Sequence, residues 1–481
     1  VVEQGDRGGK DPAPDDDGGD ADGDLDHSQG AHQQGGRREA SGAEGLRGAG
    51  RGDELRRPGD DQETRAQVEE AYERLHCGEP SGPVGRRCES GQYGAMGQTI
   101  GPLTAADEGF HHQIADTFAA VSQSDLGWTE KVCLSVGARD GALQLGFGLG
   151  KYLNRGVMDA YAGLSRGVAQ RTVRASRALF PDTETTAVGP IHYEVVEALK
   201  SIRLRLEDND VDDVAFDVTL DGSAIPAFLE EREHRRQPFG YRIDNDLVRY
   251  HQVALPTGWL RVDGEDHRIE PDSWYATRDH SWGVRHGVGH EPEAVRPPLI
   301  DPNDLPMQFG WSPVRFDPPG GPPYSIHWFY LVSPEPLIPG SVQGGIERHD
   351  GTRERFTDVD VQLRFDPDNR RLLGGRLVFA MESGDECPLD IEVIGDTGFH
   401  LGTGLYFGFD GWFHGDWRGE LHVEGEHIAD CSRPETARRV HQIRDTVVRV
   451  QHGDQVGIGN FQTTIWGAWP DLGLEGDRSF T

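Results

Sequence analysis

From Trp128 onward, apolar residues recur at every second position, a period that commits a chain to strands burying one face. In the run 142–150, Leu143, Leu145, Phe147 and Leu149 fall on one side, with Gln144 and glycines on the other. The run 131–137 precedes it across Asp140–Gly141, a dipeptide suited to a tight hairpin. Alternating or β-branched runs continue at 157–165, 168–175, 192–196, 202–206, 214–220, 246–255, 259–262 and 274–285. Many short strands at this spacing predict an antiparallel barrel or sandwich, not βαβ units.

A second series of runs covers 324–332, 341–347, 358–365, 372–380, 389–394, 404–409, 419–424, 440–452 and 456–461. Ten prolines lie between Pro292 and Pro323, so 286–323 reads as loop-like and as a junction. The expected organisation is a first β domain over 128–290, a junction over 291–323 and a second β domain over 324–481. Residues 96–127 form a helical lead-in. Within it Thr104 caps a helix over 104–124, with Phe110, Ile114 and Phe118 on one side.

Residues 1–95 are of another kind. They contain no Phe, Trp, Ile or Met, and carry 22 acidic and 12 basic residues. Such a segment buries too little apolar surface to offset chain entropy, about 1–2 kcal/mol per residue for backbone alone. It reads as a disordered acidic leader. The first methionine is Met96, so the leader is equally an upstream extension of the reading frame.

The formal charge of the whole chain is −34, and the leader accounts for −10, leaving −24 on the rest. That acidity opposes binding to nucleic acid or to anionic membranes. Five scattered cysteines and no apolar run of membrane length point to reduced thiols, no integral membrane segment and a cytoplasmic setting. Oligomeric state is not legible.

The segment Arg278–Asp279–His280–Ser281–Trp282–Gly283–Val284–Arg285 is the densest in functional residue types. Alternation places Arg278, His280, Trp282 and Val284 on one face and Asp279 on the other. Histidine moves protons near neutral pH, and an indole face stabilises a developing cation. His280 and Trp282 are therefore the candidate catalytic pair. Asp279 is expected to pair with Arg278 or Arg285 as a structural ion pair. The bland reading is a structural His–Trp pair.

Other motifs carry less. Gly163–Leu164–Ser165–Arg166–Gly167 matches the nucleophile elbow of hydrolases, but its flanks read as strands, so a hairpin turn explains it better. Gly146, Gly148 and Gly150 make room in a curved strand rather than a phosphate loop. His422, Glu424 and Glu426 alternate as a solvated strand face does. No metal and no cofactor is expected. In the run 324–332, Tyr324, Ile326, Trp328 and Tyr330 share one face; Ser325, His327 and Phe329 share the other. Tyr250, Tyr324, His327 and Tyr330 are the candidate binding residues.

Gly150–Lys151–Tyr152, Ala162–Gly163–Leu164–Ser165–Arg166–Gly167, Arg249–Tyr250–His251–Gln252 and Arg278–Asp279–His280–Ser281–Trp282–Gly283 together resemble a family of uncharacterised bacterial proteins, a domain of unknown function. The likeness covers most of 104–481. More distantly, His280-x-Trp282-Gly283 is similar to an element of the carotenoid 1,2-hydratase (hydroxyneurosporene synthase) superfamily, to which tocopherol cyclase and kievitone hydratase are related or similar. That resemblance implies two lipocalin-like β domains and an apolar ligand. In the superfamily the motif His and Trp act with a Tyr and an Asp of a neighbouring strand to hydrate an isolated double bond. His280 and Trp282 match, but no Tyr-x-Asp partner is found here.

The expected function is binding of a hydrophobic small molecule of terpenoid, steroid or acyl type, with cofactor-free hydration, cyclisation or isomerisation. A non-catalytic carrier or sensor is the alternative. A third option is a structural protein with both barrels filled by side chains.

Overall fold

The computed structural model describes residues 110, 121, 123–237, 242–290, 292, 294–296, 306–334, 340–440 and 443–475. The leader and, Phe110 and a few final residues apart, the helix expected over 104–124 lie outside the described residues. The rest is mainly β, as the two-residue period requires. Among the described residues no helix is long and apolar enough to cross a membrane.

The first strands are β1 (Trp128–Ala138), β2 (Gln144–Tyr152), β3 (Val157–Arg166), β4 (Ala169–Ala178), β5 (Ala187–Val188) and β6 (Ile191–Glu197). Next come β7 (Ser201–Leu206), β8 (Ala215–Asp221), β9 (Phe228–Leu229), β10 (Glu233–Arg236), β11 (Ile243–Val262), β12 (Glu265–Ile269) and β13 (Trp274–Val284). A second set begins with β14 (Met307–Phe316), β15 (Tyr324–Val332), β16 (Ser341–Arg348), β17 (Arg353–Phe365), β18 (Leu372–Met381) and β19 (Glu386–Val393). It ends with β20 (Phe399–His400), β21 (Leu421–Ile428), β22 (Arg444–His452) and β23 (Gln455–Trp466). A single short α-helix among the described residues, Pro434–Arg439, opens on a proline and closes on Arg438 and Arg439, as helix ends favour.

The first sheet runs β21-β4-β3-β2-β1-β13-β11-β8-β7-β6-β5, with β9, β10 and β12 added along β11. β11 is 20 residues long; it pairs with β13 through Ala254 and with β8 from Leu255 onward, so the sheet turns along it. The β5–β6 edge comes round against β3 and β4, giving a barrel-like shape. Inside lies one apolar core, built from the alternate residues Val132, Leu134, Leu145, Phe147, Leu204, Phe216 and Leu260 among others.

The second sheet runs β19-β18-β17-β16-β15-β14-β23-β22, and β22 also pairs with β19. That pairing closes an eight-stranded antiparallel barrel, which leaves no open edge along its circuit. Its interior is packed with rings. Phe356 stacks on Phe379 at 4.2 Å between centroids, and Trp328 meets Phe461 edge-on at 5.2 Å.

Two features depart from the sequence reading. The proline-rich stretch 286–323 contains β14, a full strand of the second barrel. Pro313 carries no N–H, and the β14–β23 ladder is interrupted there, from Trp311–Gln462 to Val314–Gly459. The loss is local, and the strand survives it. Secondly, β21 does not join the second barrel; it pairs with β4 along its whole length, from Leu421–Arg177 to Ile428–Gln170. The expected strand over 404–409 is absent, with Leu405 and Phe407 in the left-handed region.

Local turn chemistry follows expectation. The G-x-S-x-G segment is the β3–β4 hairpin, with Gly167 at φ 60° in its turn. Gly148 and Gly150 admit the Tyr161 ring and the Tyr152 hydroxyl, which would lie 2.3 and 2.4 Å from a Cβ at those positions.

Candidate functional site

The site forms where β13, its two antiparallel neighbours β1 and β11, and β2 beyond β1 bring alternate residues to one face. In the first row Lys151, Glu130, Trp282 and Val248 stand in register across β2, β1, β13 and β11. In the second stand Leu149, Val132, His280 and Tyr250, and in the third Phe147, Leu134, Arg278 and Gln252. All of this faces the interior of the first barrel. Trp274 and Ala276, further back on the same face of β13, belong to its apolar core. Polarity thus rises along β13 from apolar floor to charged end.

His280 is fully buried, and both its ring nitrogens have partners. Nε2 lies 3.0 Å from Glu130 Oε1, and Nδ1 lies 3.1 Å from the Tyr250 hydroxyl. Arg278 donates to the Tyr250 oxygen at 3.4 Å, to Tyr193 at 3.3 Å and to Gln252 Oε1 at 2.8 Å. A guanidinium only donates. The Tyr250 oxygen therefore accepts from Arg278, and its O–H is left to donate to Nδ1. In the neutral ring the proton then sits on Nε2, shared with Glu130. Residue types alone set this order: Arg278 to Tyr250 to His280 to Glu130.

Rings enclose the cluster. Trp282, half-buried, meets His280 edge-on at 5.8 Å between centroids, and Phe110 lies 5.0 Å from the imidazole on another side. Burial lowers the Lys151 ammonium, with Glu184 and Glu130 acting against it. An apolar wall, a hydrogen-bonded imidazole, a carboxylate and an indole can together hold an apolar molecule and move one proton at its end.

The predicted residues separate into three places. His280, Trp282 and Tyr250 come together. Tyr324 and Tyr330 lie in the core of the second barrel; the Tyr324 hydroxyl meets His452 Nδ1 at 3.1 Å and that of Tyr330 accepts from Gln308 at 3.0 Å. His327 faces the other way, into the seam between the barrels, where its ring stacks on His251 at 3.6 Å. Those three are not neighbours of His280. The expected partners of Asp279 are also corrected. Its ion-pair partner is Arg249 at 3.9 Å, Arg278 points into the barrel, and Arg285 donates to Ser281 at 2.5 Å. Burial pushes the Asp279 carboxyl up, against the pull of Arg249 and Arg285.

Sequence reasoning missed two groups. Glu130 places a carboxylate beside His280. Its signal was available: it continues the Val132, Leu134, Val136 face of β1, one step before the first residue assigned to that strand. The other group is Glu230, His251, His327 and Glu347, gathered from both barrels into the seam. His251 Nδ1 lies 3.0 Å from Glu230 Oε1, and its Nε2 is 2.9 Å from both Glu347 oxygens. Burial opposes charge on Glu347, yet His251 and Arg353 hold its carboxyl down at about 2. Burial, then His251, pushes His327 down to about 4. By contrast His422 meets Glu424, which is also held by Arg174 and Arg418, and Glu426 pairs with Arg439.

The chain matches a family of unknown function (DUF8625) over residues 103–475. It belongs to that family. No curated protein matches it. Similar solved structures include CghA with Sch210972, at 14% identity and a TM-score of 0.39, covering 70% of this chain and 88% of that one. Kievitone hydratase from Nectria haematococca is similar at 11% identity and a TM-score of 0.32, covering 71% and 90%. At these values the chemistry has to be read from this chain's own residues.

Proposed function

We propose that the charged end of the first barrel binds a hydrophobic small molecule of terpenoid, steroid or acyl type and performs cofactor-free acid/base chemistry on it: hydration, cyclisation or isomerisation. The observation that carries this is His280, buried between the Glu130 carboxylate and the Tyr250 hydroxyl and beside the Trp282 ring. When it carries a proton, the imidazole can deliver it, and the Glu130 carboxylate beside Nε2 stabilises the charge. Proton delivery to a double bond leaves a carbocation. The Trp282 and Tyr250 rings offer it electron-rich faces, worth up to about 2 kcal/mol when water is excluded. Removal of a proton, or addition of water, completes the reaction and returns the proton to the His280–Glu130 pair.

A carrier or sensor is the second reading, favoured by the engagement of both His280 nitrogens with protein groups. Native mass spectrometry of protein purified from its own host identifies a co-purifying apolar molecule. Turnover of that molecule is then compared for wild type and His280→Gln. Conversion by wild type and loss in the variant supports catalysis. Binding with no conversion by either supports the carrier. Recovery of no apolar molecule, with no apolar ligand quenching Trp282 fluorescence, would sink both.

A further inference from the structure

Outside the His280 cluster, the seam between the barrels holds donors that the proposed function does not use. We infer that Glu230, His251 and His327 form a binding site for one divalent first-row transition-metal ion. One ligand atom from each lies within 4.8 Å of the others, and all three residues are buried.

The separations suit a shared ion. Glu230 Oε1 stands 3.0 Å from His251 Nδ1 and 3.2 Å from His327 Nε2. Four-coordinate bonds of about 2.0–2.1 Å set ligand atoms about 3.3 Å apart. Two imidazoles and one carboxylate favour zinc, iron, cobalt or nickel over magnesium or calcium.

The surroundings are those of a metal centre. His251 Nε2 faces the Glu347 carboxylate, which Arg353 and Ser325 hold in place at 2.6 and 2.9 Å. A carboxylate behind a ligating imidazole fixes its tautomer, here leaving Nδ1 toward Glu230. Glu230 is held in turn by the Trp311 N–H at 3.0 Å and by Arg249 at 3.2 Å. An ion takes the place of the His251 proton now shared with Glu230.

One observation on the ring itself points to a missing cation. His327 is fully buried; its Nδ1 makes no hydrogen bond, and its Nε2 has the Glu230 carboxylate at 3.2 Å without hydrogen-bond geometry. Buried polar atoms are normally satisfied, so this ring is waiting for a partner.

One geometric change accompanies binding. The His251 and His327 rings stack 16° from parallel with centroids 3.6 Å apart. An ion cannot lie in both ring planes of such a stack, so one ring turns out of it. Since His251 stands on β11 and His327 on β15, the ion bridges the barrels.

The test uses the full chain. Protein as purified is assayed for metal, stripped with a chelator and titrated with Zn2+ and with Co2+ as a spectroscopic probe. One equivalent per chain is expected, with visible Co2+ bands of a four- or five-coordinate site and a raised Tm on adding Zn2+. His327→Gln abolishes the Co2+ bands. Glu347→Gln, which only removes the carboxylate behind His251, weakens affinity roughly 10–100-fold. His280→Gln leaves metal binding unchanged, so failure here and failure of the proposed function are told apart. Wild-type protein that binds neither ion stoichiometrically overturns the inference, whatever the variants do; so does a folded His327→Gln that binds as wild type does.

Discussion

The two barrels share a strand architecture and differ in what fills them. The interior of the second is closed by rings: Phe316, Tyr324, Trp328, Phe356, Phe379 and Phe461 pack in one cluster. The interior of the first is apolar at one end and ends at the other in Arg278, His280, Tyr250 and Glu130, all buried and hydrogen-bonded. Burying such groups costs stability unless every partner is met. A fold alone does not require that arrangement, as the second barrel demonstrates. The difference is why the proposed chemistry is sought in the first barrel and not in the second.

That contrast can be broken by experiment. The largest effect belongs to Trp328→Ala, which should cost about 3–5 kcal/mol in urea unfolding, as loss of a large buried ring does. A cost under about 1 kcal/mol would mean the second barrel is not the filled one. Next, His280→Gln should lower turnover of the native ligand by about 10²–10⁴-fold. Equal turnover would leave the first barrel no more chemical than the second.

Between the barrels, burial raises Asp445 to about 7, although Asn460 and Ser135 hydrogen-bond to it. The folded state then holds a proton between about pH 4 and 7 that the unfolded chain has lost, so stability falls as pH rises across that window. Asp445→Asn removes the dependence. It should be near neutral at pH 4 and stabilising by about 2–4 kcal/mol at pH 8.5. A difference that stays flat with pH would show an ordinary carboxylate. The smallest effect is that of Tyr250→Phe, about 1–2 kcal/mol for the hydroxyl's hydrogen bonds to His280 and Arg278. Its sharper readout is nitrogen NMR. Wild-type His280 should be the Nε2–H tautomer, and loss of the phenol should shift the Nδ1 signal.

How legible was this? The alternation in β2 and β13 is a property of neighbours in sequence, so it gave the strands, the shared face of His280 and Trp282, and the hairpin at Gly167. Tyr250 also emerged, being on an alternating run. Glu130 did not, because an acid at the start of an apolar strand looks like a solvated end until β13 places it opposite Trp282. β14 was hidden by the prolines around it; the one it contains, Pro313, is tolerated because the ladder to β23 is given up at Ser312 and Pro313. His251, His327, Glu230 and Glu347 come from strands up to about a hundred residues apart, and no local period reports which outer faces two barrels turn to each other. Tyr324 and Tyr330 were misassigned for the ordinary reason that aromatic strand faces serve cores more often than ligands.

The strand Leu421–Ile428 finishes a sheet begun almost three hundred residues earlier. During synthesis, β4 emerges with its outer N–H and C=O groups unmatched, and stays so until most of the protein has been made. The first half therefore matures last along that edge, and an early stop in translation anywhere before residue 421 releases a chain with a sticky flank.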